Sequence, residues 1–306
     1  MARMLCKKFT RICQISAEIP GPQKGLSPVS RALRRLLVGT TDSHRTIDLL
    51  IASHIVWDGD LLMKGERMEG PMPVKLPIAC ARAAGVLYLI IIVCGLFGEL
   101  YVRSSLISPG DAAATAGNIV AAEGLFRVGF LVDSIMFLSD VALAVLLYVL
   151  LKPVNKALAL IAMCFRLTQT AVIAINLLHY HAAVLLLKGQ GYAMAFEAEQ
   201  RNALSLFFLD LHSHGYDLGL ILFGAHCLLL GYLITRSLYL PKALGYLAMA
   251  AGVAYLTGSY TRFMFPNFVE AVSPIYLIAI ISEMSLCLWL LFKGLNPDRW
   301  KDITGA

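Results

Sequence analysis

"LLYVLLKPVNKALALIAM", residues 146–163, sets two apolar runs back to back across Lys152, Pro153, Val154, Asn155 and Lys156. Proline and asparagine punctuate helices, and a turn this short joins antiparallel neighbours. Longer apolar stretches extend on both sides, so the segment predicts two membrane-spanning helices meeting at a basic turn. The pattern recurs in "LLGYLITRSLYLPKALGYLAM" (229–249), and "LCLWLLFKGLN" (286–296) repeats its first part. Duplication and convergence of membrane-exit sequences account for this echo equally.

Working outward, apolar runs of spanning length fall at 79–102, 128–151, 156–187, 212–235, 241–263 and 273–293. The predicted fold is therefore all-α: a polytopic bundle of about six transmembrane helices, since helices satisfy their own backbone groups in hydrocarbon. Composition agrees. Of the 306 residues 58% are hydrophobic and 15% charged, and the mean hydropathy is +0.71, whereas soluble domains carry about a quarter charged residues. Two outer connections, "DAAATAGNIVAAEGLF" (111–126) and "YAMAFEAEQRNALSLFFLDL" (192–211), are expected as interfacial helices.

Three regions follow. Residues 1–77 hold 12 of the 26 Lys/Arg and 7 of the 20 Asp/Glu, hence +5 of the net +6. They read as a basic, disordered cytoplasmic extension, or as upstream sequence from an early start codon, with Met63, Met68 and Met72 as later starts. Within them "SRALRRLLVG" (30–39) is a candidate amphipathic helix for anionic lipid. "IDLLIASHIV" (47–56), interrupted by Asp48 and His54, lacks the features of a signal peptide. Residues 78–300 form the membrane domain, and 301–306 a short cytoplasmic tail. The seven scattered cysteines read as small buried hydrophobes.

Basic residues set the expected orientation. Lys152, Lys156, Arg236, Lys242, Lys293, Arg299 and Lys301 fall in short connections or the tail, so both termini are expected in the cytoplasm. Counting inward from these residues gives depth. Asp140 stands twelve residues from Lys152, and His226, Glu283 and Arg166 each stand ten from Arg236, Lys293 and Lys156. At 1.5 Å per residue these four lie roughly 15–18 Å deep, near the middle of a ~30 Å core. A charge there needs a partner, so Arg166 is expected between carboxylates with Gln169 joining by hydrogen bonds. A midplane ion, proton or small-solute site and a buried ion-pair lock are both compatible with this cluster.

An outer polar layer of Glu99, Asp133, Asn176, Asp217 and Arg262 lies roughly 25–30 Å deep by the same count. Asp210, His214 and Asp217 share one helix face and, with a group from another helix, could hold a divalent metal such as zinc. Hydrogen-bonded interfacial side chains and no cofactor are the alternative expectation. Haem would need paired histidines at matched depth, and none stands out. Gly215 and Gly219 form G-x-x-x-G, and Gly224 and Gly231 extend a small-residue path that lets a helix approach Asp217. No phosphate loop, nucleophile elbow or nucleic-acid signature is visible.

The runs "RAAGVLYLIIIVCGLFGE" (82–99), "LLYVLLKPVNKALALIA" (146–162), "FRLTQTAV" (165–172), "HGYDLGLILFGAHCLLLGYLI" (214–234), "YLPKALGYL" (239–247) and "SLCLWLLFKGLN" (285–296) resemble the bacterial membrane family catalogued as domain of unknown function 4386. The resemblance spans about residues 78–300. It implies a polytopic membrane protein of uncharacterised activity and supplies no catalytic residue. The functional expectation is thus a small transporter or permease-like protein, partnered by the bilayer and a small solute or ion. An intramembrane metal-dependent enzyme and a non-catalytic sensor or assembly protein are the alternatives.

Overall fold

The structure is a computed structural model that describes residues 75–304. The extension before residue 75, with the 30–39 segment, Cys6 and Cys13, lies outside the described residues. Helix α1 (Lys75–Phe97) continues through a π-helical turn at Gly98–Arg103 to Leu106. The others are α2 (Ala112–Ala121), α3 (Glu123–Leu151), α4 (Lys156–Leu187), α5 (Ala198–Arg236), α6 (Lys242–Met264), α7 (Tyr276–Phe292) and α8 (Pro297–Thr304). No strand occurs among the described residues.

The helices start where local chemistry allows. Asn155 of the opening turn caps α4, its side-chain oxygen accepting from the Leu158 N–H at 3.0 Å. Asp111 does the same for α2 at Ala114 N, and Glu197 with Gln200 forms a capping box for α5. The α2 segment is the expected short helix of the first outer connection. The second connection differs: 198–211 is not a separate interfacial helix but the first part of α5. With 39 residues, α5 is about 58 Å long, well beyond a ~30 Å hydrocarbon core. The capping box at Glu197 starts the helix early, and no glycine or proline interrupts it before Gly215.

Six long helices close a ring. Helix α1 packs against α3, α3 against α4, α4 against α5, α5 against α6, α6 against α7, and α7 returns to α1. Five stretches are long and apolar enough to cross a membrane: Pro77–Leu106, Glu123–Leu151, Lys156–Leu187, Ala198–Arg236 and Pro266–Phe292. Helix α6 is the expected sixth span, yet its glycines, threonines and tyrosines leave it without an equally apolar stretch. Its 23 residues nevertheless cover about 34 Å. The outward surface is apolar, with Leu138, Leu178 and Ile281 each more than half exposed, whereas Asp140, Arg166 and His226 are buried. That inversion of the soluble pattern marks a multi-pass membrane protein.

Without a hydrophobic force between helices in lipid, close backbone approach supplies the contact. Along α5 and α6 this approach is reciprocal. A Cβ on Gly231 would strike the Gly245 carbonyl and one on Gly245 would strike that of Gly231; Gly224 and Gly252 stand in the same relation. Seven residues farther along each helix, Ser259 donates to Asp217 at 3.4 Å. Gly215 and Gly219 face α4 instead, where they admit the side chains of Asn176 and Ile173.

At the end carrying the α3–α4 and α5–α6 turns, Leu147, Leu150, Leu230, Leu233 and Leu290 form a dry core. Trp300 of α8 is fully buried in it and meets the Tyr239 ring edge-on. Tyr239 donates its hydroxyl to the Leu150 carbonyl at 2.5 Å and accepts at its own carbonyl from Asn296 N at 3.0 Å. The C-terminal residues up to Thr304 are therefore a docked helix that crosses the expected tail boundary at 300/301. Of the described cysteines, Cys227 and Cys287 are buried, Cys80 and Cys94 half-buried, and Cys164 exposed on the outer face.

Candidate functional site

A cavity of about 80 Å³ lies inside the ring and is lined by every spanning helix: Ile91 from α1, Asp140 from α3, Arg166 from α4, Tyr216 from α5, Tyr255 from α6 and Glu283 from α7. It has room for a few water molecules. Arg166, with no exposed surface, directs Nε (2.9 Å) and Nη2 (2.5 Å) at Asp140 Oδ1. The other Asp140 oxygen accepts from Thr170 Oγ1 at 2.5 Å. With its NH2 turned toward acceptors, Gln169 adds a bond to that oxygen at 3.1 Å. The Asp140 carboxylate thus has four donors, which is what a buried charge needs to be tolerated.

The guanidinium is enclosed on its other sides. Its Nη1 lies 3.1 Å from His226 Nε2, while His226 Nδ1 lies 2.8 Å from the Ala162 carbonyl. A carbonyl only accepts and a guanidinium only donates, so His226 carries its proton on Nδ1 and is neutral. Tyr88 and Phe223 stack over Arg166, their ring centres 5.2 and 5.0 Å from Cζ. Beyond His226 the interior narrows to a void of about 10 Å³.

Glu283 departs from expectation. Arg166 does not lie between two carboxylates, because both arms that reach a carboxylate go to Asp140. Glu283 instead accepts from the Tyr255 hydroxyl at 2.5 Å, and among the described residues no hydrogen bond reaches its second oxygen. Depth counting finds the level but not the direction each side chain faces. Asp140, Arg166 and Glu283 do line one cavity, and His226 reaches it through Arg166.

The outer layer consists of two separate ion pairs and a neutral network. Asp133 meets Arg103 at 2.9 Å, and Arg103 also binds Glu99 at 2.7 Å. Asp217 meets Arg262 at 2.9 Å and accepts from Tyr276 at 3.4 Å; Arg262 also donates to Ser213 at 2.8 Å. Asn176 donates to the His212 carbonyl at 2.7 Å and meets His179 Nδ1 at 2.9 Å.

The profile of the family described as Domain of unknown function (DUF4386) matches residues 83–294. The chain belongs to the DUF4386 family. An uncharacterized protein of Archaeoglobus fulgidus is 29% identical over 160 residues, covering 52% of this chain and 80% of that protein. No solved structure matches.

In this DUF4386 protein the proposed metal ligands are not assembled. Asp210 and His214 are exposed, the His214 ring nitrogen lying 2.8 Å from the Asp210 carbonyl oxygen, and Asp217 turns inward to Arg262. Among the described residues no group of three His, Cys, Asp or Glu side chains is placed to hold a metal. The reason lies in the α5–α6 register: α6 ends at Met264, so Asp210 extends past it, while Asp217 falls opposite Ser259. Sequence reading missed Arg103, Tyr88, Thr170 and Tyr255. Arg103 had a signal in its i, i+4 spacing from Glu99, but the π-helical turn aims it at Asp133. The uncharged three carry no depth signal.

Proposed function

We propose that this protein is a small permease-like transporter of a bacterial cytoplasmic membrane, passing a small solute or ion through the cavity at the ring centre. The carrying observation is that all six long helices contribute side chains to one cavity around the Asp140–Arg166 pair. A structural lock alone needs a salt bridge, not an adjoining space with further polar groups left over. The end bearing Lys152, Lys156, Arg236, Lys242, Lys293, Arg299 and Lys301 faces the cytoplasm in this reading, and both termini lie there. The reading needs no cofactor.

Potential-driven proton flux tests it. Vesicles containing the purified full chain and a trapped pH-sensitive dye are expected to dissipate an imposed potassium–valinomycin potential faster than empty vesicles. Leu220→Trp, which fills the cavity from α5, is expected to return the rate to that of empty vesicles while the protein still inserts. Equal rates for the wild type and empty vesicles count against the proton as the transported ion. A second reading, in which the polar layers only fix helix packing, is favoured by the four donors on Asp140; it expects Leu220→Trp to alter thermal stability with no flux to remove.

A further inference from the structure

The formal charges at the cavity do not cancel. Arg166 is matched by Asp140, and His226 is neutral by its hydrogen bonds, so among the described residues Glu283 has no cation of its own. Its neighbours come from every other long helix of the ring: Tyr88 of α1, Asp140 of α3, Arg166 of α4, Tyr216 and Cys227 of α5, and Tyr255 of α6. Arg166 and Asp140 together bring no net charge, and the others are neutral. An unmatched carboxylate at the centre of a membrane protein is costly, and a cation or a proton relieves it.

We propose that Glu283 is a reversible proton-binding site, with Tyr255 as its positioning residue. Glu283 is half-buried and borders the cavity. Its Oε1 is held by Tyr255, which leaves Oε2 as the oxygen that takes the proton. A metal cation fits poorly, because hard cations gather about six oxygens and, among the described residues, the one oxygen bonded to this carboxylate is that of Tyr255. Of the other polar groups of the cavity, Arg166, Thr170 and Gln169 point to Asp140, and the Tyr216 hydroxyl points to Met136 Sδ. The step is proton transfer alone. A hydronium O–H bond breaks with its electron pair staying on water, and an O–H bond forms at Oε2; release reverses this. No electron changes owner.

This inference deepens the permease reading, yet its test needs no transport. Infrared difference spectra of the purified full chain between alkaline and acidic buffer report protonated carboxyl groups by their C=O stretch. The wild type is expected to gain a carboxylic band on acidification that Glu283→Gln lacks; glutamine keeps a carbonyl oxygen for the Tyr255 hydroxyl, so the variant should fold. Tyr255→Phe is expected to retain the band at higher frequency, since its hydrogen bond is gone; an unmoved band removes Tyr255 from the assignment. A band that persists in Glu283→Gln, the lack of any pH-dependent band, or its loss on adding sodium chloride at fixed acidic pH overturns the proposal. Vesicles without flux but with the Glu283 band leave a proton site without transport. Flux without the band leaves a permease that works without Glu283.

Discussion

The two ends of the ring are held together differently. Where the α3–α4 and α5–α6 turns meet α8, the contacts are leucine packing, a buried tryptophan and backbone-directed hydrogen bonds. Burial pushes the Tyr239 hydroxyl up from its ordinary value, so it stays neutral near physiological pH. The opposite end has its own apolar cluster around Phe126 and Tyr180, but adds the Arg103–Asp133 and Arg262–Asp217 pairs. Polar groups also run from that end toward the cavity: Asp217 accepts from Tyr276, whose ring lies 5.9 Å from that of Tyr255, the Glu283 partner. In the other direction the leucine core intervenes. One end is sealed by shape, and the other is tied by charge with a polar lining behind it.

Two substitutions sharpen this contrast. Trp300→Ala at the sealed end is expected to cost about 3–5 kcal/mol, read as a lowered unfolding midpoint that salt leaves unchanged. Asp133→Asn at the charged end is expected to cost about 1–3 kcal/mol, since Arg103 keeps Glu99 and asparagine keeps one oxygen but not the charge. The deficit should depend on ionic strength, because Glu99 is two-thirds exposed. Glu123→Gln is the control: its pairs with Arg127 and Lys188 are exposed, and no change in the midpoint is expected. A salt-dependent Trp300→Ala defect, or an Asp133→Asn loss as large as that of Trp300→Ala, breaks the distinction.

Much of this arrangement is legible in the amino-acid sequence. Helices that start from short basic turns share a common zero of depth, so equal residue counts put Asp140, Arg166 and His226 at one level, where they do meet. The count carries no azimuth, and there it fails: Arg166 and Glu283 are level, but α4 turns the guanidinium toward α3. Asp210, His214 and Asp217 fail for a related reason, since one helix face meets a partner only over the length of that partner. The stretch 198–211 reads as a separate interfacial helix and not as the start of α5, because an amphipathic pattern fits a helix lying along the interface as well as one that continues into the bundle. Ring closure of α7 onto α1 has no local signature; it rests on Gly85, where a Cβ would sit 2.7 Å from the Leu291 nitrogen.

The reciprocal glycine seam between α5 and α6 also bears on how the chain enters the bilayer during synthesis. Helix α6 is the long helix of the ring that lacks a strongly apolar stretch, and it carries Arg262, so its own partition into lipid is weak. Its glycines admit the α5 backbone, and Asp217 on α5 neutralises its arginine. Helix α6 is therefore a client of the helix made before it, inserted as the second arm of a hairpin. A glycosylation reporter placed after Met264 is expected to show full insertion of α6 behind α5 and reduced insertion behind an unrelated apolar helix. Equal insertion in both settings would mean that the seam acts only after both helices are in the membrane.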